Sequence, residues 1–454
     1  MTEVDVVVIG AGPAGENVAG RCAAGGLSTV IVERELVGGE CSYWGCIPSK
    51  TLARPGDVIA AARRVPGAAA AVTGEIDVAA ALARRDYMTS NWDDAGALGW
   101  LESEGIELVR GAGRLAGERT VDVETRSGDV RRLTARKAVV LATGTGAFIP
   151  PIPGLAESDP WDNRSVTGAK EIPRRLLVLG GGAVGAEMAQ AMRRLGAEEV
   201  TVVEAGPRLL SREEPFAGDE VRAAFEAEGI TVITGARLVG ASRNGAVTGT
   251  LDDGRTITAD EILVAVGRRP STTDIGLETV GLEPGKYIPV DDQLRAVGNW
   301  LYAVGDCNGR ALLTHMGKYQ ARLAGDAILG KQVAATAPVP RVTFTDPQVC
   351  AVGLTESQAR DAGVDVRIVA YPTGNVSGAY TQGDGITGTS QLVIDESRRV
   401  IVGATFTGPG VADLLHSATI AIVGEVTMDR LWHAVPSFPT VSEVWLRLME
   451  AYGL

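Results

Sequence analysis

Apolar residues in this chain gather into short β-branched runs that stop at glycine-rich turns, and the runs recur in a fixed order. Residues 5–9 read as a buried strand, 10–15 as a turn, 14–25 as a helix and 28–32 as a second strand. The same succession returns at 176–179, 180–185, 186–195 and 200–203. Two copies of a strand–turn–helix–strand unit imply two nucleotide-binding domains. Pro150, Pro151, Pro153 and Gly154 form a breaker cluster between them, a natural hinge. The C-terminal part has another rhythm: alternating strands at 392–394 and 400–406, then apolar helices at Val411–Val423 and 441–451. It reads as an α+β domain without a glycine-rich turn.

A chain of 454 residues is too long for one hydrophobic core. The net charge of −13, with no long basic run, argues against nucleic acid as a partner. No apolar stretch is long enough to span a membrane, and the acidic start MTEVDVVVIG runs straight into a strand rather than a signal peptide. The expected location is cytoplasmic. There, five cysteines do not form a disulfide scaffold, and a paired set is catalytic.

Gly10, Gly12 and Gly15 follow a strand and open a helix, and Glu33 closes the next strand. Such glycines let the backbone approach a pyrophosphate at a helix N-terminus, and the acid bonds a ribose hydroxyl pair. Gly180, Gly182, Gly185 and Glu204 repeat every part of the pattern. Two dinucleotides in one enzyme suggest FAD plus a nicotinamide cofactor. Glu204 favours NAD over NADP, because a carboxylate repels a 2′-phosphate; Arg208 is the counterweight.

Cys41 and Cys46 lie in Gly38-Gly-Glu-Cys-Ser-Tyr-Trp-Gly-Cys-Ile-Pro-Ser-Lys50. Their spacing does not suit the usual zinc sites, and no metal site is expected. On an ideal helix the two would point to different faces, so a disulfide requires local distortion. Such a strained bond serves electron exchange. Two unrelated buried thiols are the alternative that the segment alone leaves open.

The whole segment resembles the signature of the pyridine nucleotide–disulfide oxidoreductases, and the resemblance runs along essentially the whole chain. Leu141-Ala-Thr-Gly144 is similar to the family's connection out of the first nucleotide domain. Ala265-Val-Gly267-Arg-Arg-Pro270 is similar to the strand closing the NAD domain. Tyr302-Ala-Val-Gly305-Asp306 resembles the second FAD motif, and residues 342–356 the opening of the dimer-interface domain. The resemblance implies an α/β fold: two Rossmann-like dinucleotide-binding domains plus a C-terminal α+β dimerisation domain. It implies FAD binding over 1–150 and again over 273–338, NAD binding over 151–272, and dimer contacts over 339–454. It makes Cys46 the thiol facing the flavin, Cys41 the one exchanging with substrate, and Lys50 and Glu187 a pair beside the flavin's reactive edge. The lysine stabilises negative charge on the reduced ring; its plainer reading is a salt-bridged surface residue. Gly39, Gly113, Thr143, Gly144, Gly267, Gly305 and Asp306 join Lys50, the two glycine triplets and their acids as cofactor-binding positions. Cys22 and Cys350 read as packing residues and Cys307 as structural.

The chain departs from the family at its C-terminal motif. Dithiol-handling relatives place a proton-shuttling His before Pro-Thr-x-x-Glu. Here the frame Pro439-Thr440 and Glu443 persists, with Phe438 in the His slot. An alternative alignment puts Val435 there. His315 matches a position near the flavin, His416 reads as a core or interface residue, and His433 is the one histidine able to swing in. No vicinal cysteine pair closes the chain, which weakens metal-ion reduction. The expected function is passage of electrons from NADH through FAD to Cys41–Cys46, and on to a disulfide or other small electrophile, by a homodimer. The alternatives are a quinone or dye reductase working from the flavin, a carbanion-forming carboxylase of the type that carries Phe in the His slot, and a redox sensor with little turnover.

Overall fold

The computed structural model describes residues 2–454 and divides into two compact units. The first comprises the described residues through Pro48, Arg84–Phe148 and Gly267–Thr336. Its parallel core runs in the order Glu107–Leu115, Thr29–Glu33, Thr2–Ile9, Val130–Leu141, Leu301–Ala303. Val6, Val7, Val8, Val30, Ile31, Val139 and Leu141 are fully buried there, as expected where helices cover both faces of a parallel sheet. Thr120–Thr125 and Arg295–Val297 extend the sheet antiparallel. The helix Pro13–Ala24 packs on Thr314–Ile328, where Arg21 pairs with Asp326 at 2.7 Å.

The second unit comprises Ser49–Ala83, Ile149–Val266 and Ala337–Leu454. It holds a parallel sheet in the order Glu261–Val264, Arg175–Leu179, Glu199–Glu204, Ile230–Thr234, with an antiparallel meander over Leu238–Asn244, Ala246–Leu251 and Thr256–Ala259. It also holds a five-stranded antiparallel sheet, Arg341–Thr343, Gln348–Gly353, Val400–Gly408, Thr389–Asp395, Val366–Pro372, backed by the helices Val411–Val423 and Val444–Tyr452. No helix among the described residues is long and apolar enough to cross a membrane.

Two expectations need correction, and a third narrows. The strand closing the second parallel sheet ends at Val264, before the Ala265–Pro270 motif; Arg268–Pro270 pairs instead with Thr145–Ala147 in the first unit. The helix expected over 441–451 begins as a 3-10 turn at Val441–Glu443 and becomes α-helical only at Val444. Of the two readings of His416, core or interface, its exposure removes the first. The residue lies on the exposed face of Val411–Val423, one and two turns before Ile420 (58% exposed) and Val423 (61% exposed). An apolar face left in solvent on one chain is a surface ready for a partner.

Candidate functional site

Both glycine turns adopt the same geometry. A side chain on Gly15 would stand 1.9 Å from the Gly10 carbonyl oxygen, and one on Gly185 would stand 1.9 Å from that of Gly180. Only glycine lets helix and strand meet this closely. The middle glycines differ from these: a side chain on Gly12 or Gly182 would meet nothing within 4 Å. Protein packing therefore does not require glycine there, whereas a phosphate approaching the helix N-terminus does. The strand-end acids face back onto the turns. Glu33 accepts from Ala11 N (2.8 Å) and Glu35 N (2.7 Å); Glu204 accepts from Gly181 N (2.7 Å) and Gly206 N (2.6 Å). Arg208 donates to the carbonyls of Ser211 (3.2 Å) and Glu213 (3.3 Å) and so is engaged by its own loop.

The first turn carries the fit for a flavin dinucleotide further. Gly39 crosses Gly12 so closely that a side chain on Gly39 would reach the Gly12 Cα at 2.7 Å. The hydroxyl oxygen of Thr143 is buried without a hydrogen-bonding partner among the described residues. Gly144 follows it, and Gly305 opens the short turn holding Asp306. Asp306 accepts from Thr145 Oγ1 at 2.9 Å, and Arg268, next to Gly267, donates to that same hydroxyl at 2.7 Å. Burial raises Asp306 above the ordinary carboxyl range, against the pull of Thr145 and Arg268. A shielded acceptor and, in the same unit, an unmatched hydroxyl suit a polyhydroxy chain. Gly113 is placed differently: it lies mid-strand, and a side chain there would press on Val32 (3.0 Å) and Ile9 (3.1 Å). Packing accounts for that glycine.

The redox segment shows the distortion its spacing demands. Cys41 sits in the short helix Gly39–Tyr43, and Cys46 begins the helix Cys46–Arg64. Between them Trp44 leaves the helical region at φ −138°, and Gly45 packs tightly, its missing side chain 3.1 Å from the Glu40 carbonyl. The Cys41 side chain hydrogen-bonds that of Cys46. That bond, with burial, pushes the Cys41 thiol well up. Cys46 Sγ lies 3.3 Å from Thr314 Oγ1, at the start of the helix Thr314–Ile328. Thr314 is distant in the chain, and the one signal beside it is His315, matched to a position near the flavin. Cys22, Cys307 and Cys350 are fully buried among apolar side chains, as expected of packing residues.

In the second unit, Lys50 Nζ and Glu187 Oε2 pair at 2.6 Å, with Glu187 nearly buried. The other Glu187 oxygen accepts from the main-chain N–H of Phe344 at 2.9 Å, and Lys50 lies 4.8 Å from the Phe344 ring centre. The carboxylate is thus fixed at both oxygens, while the Lys50 side chain stays 36% exposed. Phe344 was not foreseen. Phe438 is 74% exposed, whereas Glu443 is 5% exposed and its Oε2 is buried without a partner among the described residues. His433 is exposed, and its main-chain N–H bonds Arg430.

Two dinucleotide cradles, a cysteine pair at a helix break and a separate antiparallel domain define a flavin- and nicotinamide-dependent disulfide reductase. The chain belongs to the pyridine nucleotide-disulphide oxidoreductase family, which it matches over residues 4–322, with that family's dimerisation domain over 339–449. It is 33% identical to the dihydrolipoyl dehydrogenase of Thermus scotoductus, across 99% of this chain and 98% of that one. It is 30% identical to the mercuric reductase of Staphylococcus aureus, across 97% of this chain and 81% of that one. Among solved structures, LpdA of Mycobacterium tuberculosis superposes with a TM-score of 0.88 at 26% identity, covering 100% of both chains. The HOCl-induced flavoprotein disulfide reductase RclA of Escherichia coli shares the fold, with a TM-score of 0.86 at 24% identity over 98% of this chain and 99% of that one. The chain is an FAD-dependent oxidoreductase that draws electrons from NAD(P)H, and its dimerisation domain makes it a homodimer.

Proposed function

We propose that this enzyme reduces a small disulfide or similar electrophile with electrons from NADH, passed through Cys41 and Cys46, in the cytoplasm. The observation that carries the reading is the helix break that sets the two thiols against each other, with Thr314 beside Cys46. When bound, FAD supplies the relay between a two-electron hydride donor and a dithiol. In this reading Cys46 faces the flavin and Cys41 attacks the acceptor. Attack by the Cys41 sulfur on a disulfide releases one thiol and forms a mixed disulfide. Cys46 then displaces the second thiol, leaving the Cys41–Cys46 disulfide for the next reduction. Gly10, Gly12, Gly15, Gly39, Glu33, Thr143, Gly144, Gly267, Gly305 and Asp306 hold the flavin nucleotide, and Gly180, Gly182, Gly185 and Glu204 hold NADH. The Lys50 ammonium, fixed by Glu187, would stabilise negative charge on the ring of a bound flavin. The domain plan divides at residues 150, 272 and 338.

A second reading, reduction of quinones or dyes from the flavin, draws on two observations. Cys46 and burial raise the Cys41 thiol, and Phe438 offers no proton transfer where dithiol enzymes keep a base. Assays with NADH against lipoamide, glutathione disulfide, mycothione, quinones and mercuric ion separate the two. Cys41→Ala abolishes disulfide reduction and spares dye reduction if the first reading holds; loss of neither overturns it. Phe438→His, with buried Glu443 free to orient the ring, raises dihydrolipoamide turnover at pH 7–8 by about a hundredfold. Phe438→His/Glu443→Gln does not, and a wild type already turning over hundreds of times per second leaves no role for the missing base.

A further inference from the structure

Just before the helix Ala95–Ser103 the first unit holds three successive residues in the left-handed region: Ser90 (φ 52°), Asn91 (φ 53°) and Trp92 (φ 56°). L-residues visit this region singly, because each Cβ crowds the following carbonyl, and a bulky tryptophan is badly suited to it. Such a run persists only where its surroundings over-determine it. Here they do. Trp92 N–H bonds the Thr89 carbonyl at 2.9 Å and Asp93 N–H that of Ser90 at 3.0 Å. The Thr89 hydroxyl donates to the carbonyls of Arg85 (3.2 Å) and Asp86 (3.0 Å). The fully buried Arg85 pairs with Asp86 at 2.7 Å, and its guanidinium lies 5.4 Å from the centre of the Trp92 ring.

What this constrained turn delivers is the indole N–H. Trp92 Nε1 donates to the main-chain carbonyl of Tyr43 at 3.2 Å. Tyr43 is the last residue of the short helix carrying Cys41. Engaged by Trp92, it serves as a helix end, and the chain breaks at Trp44 and Gly45 before restarting at Cys46. The buried Tyr43 side chain is held as well, its hydroxyl donating to Val37 O at 3.1 Å.

We propose that Trp92 is a positioning residue for the redox pair: its indole, presented by the left-handed turn, holds the helix break that sets Cys41 against Cys46. The inference rests on the redox role proposed for those cysteines. A pair held in register has a high effective concentration, so its disulfide survives under more reducing conditions than that of a loosened pair.

The test equilibrates the holoenzyme with mixtures of reduced and oxidised dithiothreitol, traps thiols by alkylation and measures Cys41–Cys46 oxidation by mass. Each protein disulfide formed costs two thiol hydrogens, and the reagent's cyclic disulfide takes up both electrons and both protons as it opens to the dithiol. Trp92→Phe keeps a ring beside Arg85 and removes the donor. It is expected to shift the midpoint about tenfold, or about 30 mV, toward easier reduction, with flavin content and circular dichroism unchanged. Tyr43→Phe, which removes the second hold, shifts it about threefold in the same direction. A Trp92→Phe midpoint equal to wild type overturns the proposal. If that variant fails to retain flavin, Tyr43→Phe decides, and an unshifted midpoint there overturns it too. A wild type with no reversible Cys41–Cys46 disulfide refutes the redox reading itself, which keeps the two failures apart.

Discussion

The first and second glycine turns of this chain agree to within a tenth of an ångström in several contacts, yet different elements cover them. Gly10 lies 2.5 Å from the Ala142 carbonyl through the Cβ it lacks, and Gly180 lies 2.6 Å from that of Ala265. Ala11 O accepts from Gly38 N at 2.8 Å, and Gly181 O accepts from Leu210 N at 2.9 Å. The frames then diverge. Over the first turn lies backbone, Gly39 against Gly12, leading directly into Cys41. Over the second lies a side chain, Leu209 against Gly181, in a loop whose Arg208 bonds its own carbonyls. One cradle is thus built into the redox segment, while the other is closed by an ordinary loop. This is the arrangement expected of a resident flavin and an exchanging nicotinamide.

The largest effect should come from adding one methyl group to each third glycine. Gly15→Ala forces a Cβ onto the Gly10 carbonyl and is expected to give a colourless chain, flavin falling below about a tenth of wild type. Gly185→Ala makes the same clash in the second copy. It should leave the protein yellow and remove reduction of the flavin by NADH. Flavin absorbance per chain and an anaerobic NADH titration read the two outcomes. A yellow Gly15→Ala protein would break the assignment of the copies.

Charge reversal at the strand-end acids is the next sharpening. Glu204→Arg replaces repulsion of a 2′-phosphate by attraction and should move the NADPH/NADH ratio of kcat/KM by about thirtyfold. Because Glu204 also accepts from Gly181 and Gly206, KM should rise for both cofactors, so the ratio carries the information. Glu33→Arg should lower flavin content and leave that ratio alone. A wild type that already prefers NADPH would refute the cofactor preference and leave the fold untouched.

The comparison also shows why some parts could be read from the chain and others could not. Glycine spacing, the β-branched strands and the terminal acids are local signals, so both turns and most of their flanking strands were legible. The need for distortion between Cys41 and Cys46 followed from helical geometry, and the break at Trp44–Gly45 supplies it. Thr314 beside Cys46 and the Phe344 amide on Glu187 were illegible, because tertiary contacts across hundreds of residues leave no periodicity. The Ser90–Trp92 turn runs against its own sequence. Asn tolerates the left-handed region but tryptophan does not, so only the surrounding fold reveals it. Gly113 shows the limit from the other side: a glycine required by strand packing looks the same in sequence as one required by a ligand.

The smallest effect isolates one further difference between the copies, Glu16 after Gly15 where Ala186 follows Gly185. A carboxylate in the first turn of a helix is ordinarily favoured by the dipole. Here burial dominates, and with the Glu33 charge it pushes Glu16 up to about 7 against the pull of Lys318. A carboxyl that holds its proton more tightly when folded contributes stability that is full below its unfolded value near 4.5. That contribution is lost as pH rises through about 7. The shift is worth at most about 3 kcal/mol, and partial solvent access reduces this to about 2 kcal/mol. For a chain of 454 residues that is a Tm change of about 2 °C. Glu16→Gln should therefore flatten the fall in Tm between pH 5 and 8 by that amount and leave Tm at pH 5 nearly unchanged. Differential scanning calorimetry of both holoenzymes across this range measures it. A Glu16→Gln protein whose Tm still falls as steeply as the wild type would show that Glu16 is not the group responsible. Tyr43, whose hydroxyl is itself raised by burial and the nearby acids Asp94 and Glu16, would lose only the Glu16 part of its shift.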